Sequence, residues 1–132
     1  MLKENAPLID SVKEMQVVES SFSSVINPTE SAEDILFMAK TELFELQEAM
    51  PSGNRQEIGA EIADVILLLS KLATYYSIPL NEAISSKIAR NFDKYNPYEI
   101  KKMVESGMES KDAVNLRRSS WDRAQDKRYS ID

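Results

Sequence analysis

The sequence predicts an all-α fold, a small antiparallel helical bundle, on three observations. Apolar residues recur at helical spacing along most of the chain, and no stretch alternates with the period of a strand. Glycine is scarce, and the five prolines fall between the periodic segments, where they punctuate helices rather than interrupt them. Leu8, Val12, Met15, Val18 and Phe22 define a first helix near 7–24. "INPTESAED" then supplies a turn, with Pro28 and acids that suit a helix N-terminus, and opens a second helix running to about Met50. "PSGN" breaks it, and a third helix is expected over about 55–77. "SIPLNEA" starts a fourth that reaches about Tyr95, "NPYE" interrupts it, and short helices near 97–106 and 110–127 follow.

At 132 residues the chain is expected to form one domain with a modest core. No apolar run reaches the ~18 residues that suggest a membrane span, and "MLKENAPLIDSVKEMQ" is too charged for a secretory leader, so a cytoplasmic location is expected. Cysteine and histidine are absent. That removes thiolate and imidazole metal sites, disulfides and histidine-dependent catalysis, leaving carboxylates, amines and hydroxyls for any chemistry. A net charge of −6 argues against a nucleic-acid polymer as partner. The charge is divided: residues 1–84 carry 5 basic and 14 acidic side chains, residues 85–129 carry 11 and 7. An acidic half beside a basic half suits a metal with an anion, or two halves that attract each other.

The acids of the central helices stand out. On a helical wheel Ile35, Met38, Glu42, Glu45 and Ala49 share one face of the second helix, while Glu57, Glu61, Asp64, Leu68 and Lys71 or Leu72 line up on the third. A three-residue spacing brings each pair together, and the short "PSGN" connection lays the helices antiparallel. Glu42, Glu45, Glu61 and Asp64 are therefore expected to meet across one buried seam. A single Glu-x-x-Glu is commonplace on solvated helices; two acid pairs in apolar stripes joined by one hairpin are not. Four buried carboxylates repel and require a cation. Oxygen ligands without histidine or cysteine favour Mg²⁺ or Mn²⁺. Glu48 and Glu57 are expected to face solvent or to support the four from outside.

These residues resemble the MazG-like family of all-α nucleoside triphosphate pyrophosphohydrolases, which includes dCTP pyrophosphatases. The family pattern of Glu-x-x-Glu, a spacer and Glu-x-x-Asp is present as "ELFE", fifteen intervening residues and "EIAD". "VILLLSKLATYYSIPLNEAI" and "KIARNFDKYNP" extend the likeness, which covers about residues 28–97 and leaves about 98–132 as a C-terminal helical extension. The resemblance implies Mg²⁺-dependent hydrolysis of a nucleoside triphosphate to monophosphate and pyrophosphate. It places the metal on Glu42, Glu45, Glu61 and Asp64, and phosphate on Lys87, Asn91 and Lys94. Lys87, Asn91 and Lys94 also share a helix face whose donors suit an anion. Tyr95 is either a phosphate ligand or a packing aromatic. Leu68 stands where dCTP-type members tend to carry tyrosine, and only Phe22 and Phe37 are available early in the chain as base-stacking aromatics, so the base is left open.

Two readings compete with this one: a helical interaction module without catalysis, and a regulatory protein that binds nucleotide without turnover. Long helices that are apolar around most of their circumference, as in "ADVILLLSKLA", predict a core completed by a homodimer or homotetramer. The C-terminal "NLRRSSWDRAQDKRY" holds Arg117, Arg118 and Trp121, which suit either contacts to nucleotide or a packing tryptophan flanked by solvated arginines.

Overall fold

Helix α1 spans Val12–Ile26, α2 Ala32–Ala49, α3 Arg55–Tyr75, α4 Leu80–Tyr95, α5 Pro97–Glu105 and α6 Ser110–Tyr129, with one 3₁₀ turn at Met50–Ser52. This computed structural model describes residues 7–129, and the side chains of residues 7–125. No strand occurs among the described residues. The all-α expectation holds, and the helix boundaries fall close to those read from the breakers. The first helix is the exception at its start. It begins at Val12 rather than near residue 7, because the Ser11 hydroxyl accepts a hydrogen bond from the Glu14 amide and caps it there. Leu8 consequently lies outside the helix and is exposed.

The chain divides into two compact units, Met1–Ala83 and Ile84–Asp132, with the division inside α4. In the first unit α2 packs on α3, and α1 packs on α3. Ala32, Ile35, Ala39 and Ala49 form the buried stripe of α2, and Met15, Ser70 and Ala73 are buried on α1 and α3. Small side chains along the stripe let the helix backbones approach closely. The α2–α3 turn is set by backbone conformation. Gly53 adopts the left-handed region at φ 67°, and Asn54 caps α3 by accepting from the amides of Gln56 and Glu57. Gln16 ties α1 to the far end of α3: its Nε2 donates to the Ile78 carbonyl at 2.8 Å and to Thr74 Oγ1 at 3.2 Å, and its Oε1 accepts from the Leu80 amide at 2.8 Å.

In the second unit α5 packs against α6, with Ala113 wholly buried. Asn96 caps α5 from a left-handed conformation, φ 39°, and Pro97 occupies the first helical position, where its missing N–H costs nothing. Arg117 joins the elements of this unit. It donates to the Asp93 carbonyl at 3.0 Å and pairs with Glu99 at 2.9 Å. None of the described helices is long and apolar enough to cross a membrane.

Candidate metal centre

The site grows from the α2–α3 hairpin. Residues Ala32, Ile35, Ala39, Glu42, Leu46 and Ala49 recur every three or four positions, so Glu42 falls directly in the buried stripe of α2. Ile58, Glu61, Val65, Leu68 and Leu72 do the same on α3, which makes Glu61 its counterpart. Both glutamates are half-buried. Glu45 and Asp64 stand beside these stripes and are exposed. The expectation of four inward-facing carboxylates is thereby corrected to two in the seam and two at its margin. A residue three positions along a helix is displaced by about 60° around the axis, enough to move one member of each pair out of a narrow seam.

Glu42, Glu45 and Glu61 each place a carboxylate oxygen within 4.8 Å of the other two. Asp64 is not part of this triangle, although its charge acts on Glu42. Glu42 Oε2 and Glu61 Oε2 are buried and accept no hydrogen bond. Burial, then the close approach of the Glu45 and Glu61 carboxyls, then the charges of Glu45 and Asp64, push the Glu42 carboxyl up to about 7. Crowded carboxylates with orphaned buried oxygens make Glu42, Glu45 and Glu61 a group that could hold a metal ion through oxygen.

Lys87, Asn91, Lys94 and Tyr95 belong to the second unit, on α4. Lys87 and Asn91 are exposed. The Tyr95 hydroxyl accepts a hydrogen bond from Arg118 at 3.2 Å, and the Lys94 ammonium and Arg118 guanidinium lie 5.5 and 5.7 Å from its ring centroid. That hydrogen bond from Arg118 holds the phenol below its ordinary pKa. Trp121 carries the Arg90 guanidinium 5.9 Å from its centroid. Trp121 and the arginines at 117 and 118 therefore make protein contacts within their own unit.

A polar cluster in the first unit escaped the sequence reading. Lys71 Nζ pairs with Glu30 Oε1 at 2.9 Å, both side chains being largely buried, and Glu19 Oε2 accepts from Ser23 Oγ at 2.5 Å. The available signal was a lysine inside the apolar run "VILLLSKLA", since a buried ammonium needs a partner. No family model matches the chain, and no curated protein or solved structure matches it either.

Proposed function

We propose that the protein is a Mg²⁺-dependent nucleoside triphosphate pyrophosphohydrolase, releasing nucleoside monophosphate and pyrophosphate. One observation carries this reading: the triangle of Glu42, Glu45 and Glu61 oxygens across the α2–α3 seam, two of its members with buried, unpartnered oxygens. Glu42, Glu45 and Glu61 would hold the ion, with Asp64 beside them. When bound, Mg²⁺ or Mn²⁺ shields phosphate charge and makes a coordinated water more acidic.

The reaction forms a bond from a water oxygen to the α-phosphorus and breaks the bond from that phosphorus to the α,β-bridging oxygen. The electron pair leaves with pyrophosphate. Asp64, outside the triangle yet exposed and close enough to influence Glu42, is the spare carboxylate suited to take the water's proton. On α4, within the second unit, Lys87, Asn91 and Lys94 share a face whose donors suit an anion. The same reading includes a homodimer or homotetramer, supported by the large apolar side chains that α2 and α3 leave exposed, among them Phe37, Phe44, Ile62 and Ile66.

Pyrophosphate release from a panel of nucleoside triphosphates with Mg²⁺ tests the activity. Glu61→Gln is expected to lower kcat at least 100-fold, within the range seen when a group stabilising transition-state charge is removed, with helical circular dichroism unchanged. Retention of wild-type turnover by that variant, or by the protein in excess chelator, excludes the metal mechanism. Tight binding of triphosphate without product would identify a regulatory nucleotide-binding protein instead.

A further inference from the structure

Glu42 and Asp64 form part of the wall of a cavity of about 620 Å³ within the first unit. Its apolar walls come from Val18, Phe22 and Ile26 of α1, Met38 of α2, and Leu67 and Leu68 of α3. Glu19, Ser23, Asn27, Glu30 and Lys71 make up its other polar lining. Lys71 lies two helical turns beyond Asp64 on α3, a rise of about 10 Å. The polar cluster therefore stands away from the carboxylate triangle along the same cavity, leaving an apolar stretch for a flat ring between them.

The hydrogen bonding of the cluster is incomplete in a directed way. Glu19 uses Oε2 on Ser23, and Glu30 uses Oε1 on Lys71. The second oxygen of each, Glu19 Oε1 and Glu30 Oε2, is buried with no hydrogen-bond partner. Two orphaned acceptors are costly, and a ligand bringing N–H donors relieves both. A hydrated metal ion is a poor match, because the Lys71 ammonium already provides the cluster's cation and the remaining lining is largely apolar. Burial raises the Glu19 pKa against the opposing influence of Ser23 and Lys71.

We propose that this cavity holds the base of the nucleotide, and that Glu19 and Glu30 select bases carrying an exocyclic amino group over uracil and thymine. The proposal rests on the pyrophosphohydrolase reading, since the occupant is fixed by the cavity's continuity with the Glu42–Asp64 wall. Adenine, cytosine and guanine all present an amine that donates hydrogen bonds. Uracil and thymine offer one ring N–H flanked by two carbonyls, so at least one carbonyl oxygen would face a carboxylate. Sites built around a substrate N–H discriminate strongly against analogues that lack it, because the protein acceptor is then left unpaired. Phe22, exposed into the cavity, supplies a ring face on which any base stacks without selecting among them.

The test uses the full chain with Mg²⁺ and two readouts. Turnover is measured on dATP, dCTP, dGTP, dTTP and dUTP, and equilibrium binding of dAMP, dCMP, dGMP and dTMP by calorimetry. The wild type is expected to favour the amino-bearing nucleotides at least tenfold in kcat/KM and in Kd. Glu19→Gln, which leaves the Glu30–Lys71 pair intact, should reduce that preference to within about threefold. Glu30→Gln should act in the same direction, with circular dichroism reporting whether the fold persists. Phe22→Ala should weaken all nucleotides alike. Equal kcat/KM on all five substrates, unaltered by Glu19→Gln, would overturn base selection while leaving the hydrolase reading standing. Absence of turnover on every triphosphate would instead defeat the activity, and the monophosphate binding series would still decide the cavity: no amino preference there overturns the proposal.

Discussion

Glu42 concentrates the electrostatics of the candidate centre in one carboxyl. Burial, the close approach of the Glu45 and Glu61 carboxyls, and the charges of Glu45 and Asp64 raise it to about 7 from an ordinary value of 4.5. Between those two values the folded protein holds a proton that the unfolded chain has released. Stability of the metal-free protein is therefore expected to fall as pH rises through this window. Melting temperature followed from pH 4.5 to 8 in chelator checks the slope, and Glu42→Gln should flatten it. Added Mg²⁺ should oppose the decline, since ligands bind metal when deprotonated and a ligand of the folded state stabilises it by mass action. A melting temperature independent of pH in the wild type would mean that Glu42 titrates as a solvated acid.

At the scale of elements, the α2–α3 hairpin depends on a few residues between the helices. The Asn54 side chain accepts from two amides at the start of α3, at 3.1 and 3.2 Å, and so satisfies donors that the helix cannot. Asn54→Ala is expected to lower unfolding free energy by about 1 kcal/mol, read by chemical denaturation. Because Glu61 sits within two turns of this cap, the same variant should weaken the stabilisation by Mg²⁺ more than a surface substitution on α6 does. "PSGN" made the break legible, since the preferences of glycine and asparagine at such turns are local. The start of α1 was misplaced for the complementary reason: Leu8 continues the apolar spacing, while Ser11, a better cap, ends the helix three residues later.

For the whole molecule, exposed apolar surface is the dominant unsatisfied feature. Leu36, Phe37, Leu43 and Phe44 of α2 are exposed, as are Ile62, Ile66 and Leu69 of α3. The first unit's buried residues are mainly alanines with Ile35 and Met15, so a single chain leaves much of its apolar material in water. Under the proposed assembly, sedimentation at micromolar concentration should give at least twice the 15.0 kDa of one chain. Phe44→Glu combined with Ile66→Glu should shift the species toward monomer. A wild-type protein sedimenting as a monomer would refute assembly through these faces.

Helical class, breakers and the acid pairs were legible in the sequence because each depends on neighbours within a few residues. The period of 3.6 residues determines which side chains share a face, and caps and turns act over three or four positions. Glu42 and Glu61 were thus recognisable as acids within apolar stripes. The sequence did not determine how each helix is rotated about its axis against its partner. Packing decides that rotation, and it left Glu45 and Asp64 at the margin while drawing Glu42 and Glu61 into the seam. Nor did spacing announce that Lys71 would meet Glu30 across 41 residues of chain, or that Glu19 would line the same cavity. Such contacts depend on three helices coming together at once, and no local period encodes them. The tertiary structure alone decided which acids confront one another and which buried oxygens lack a partner.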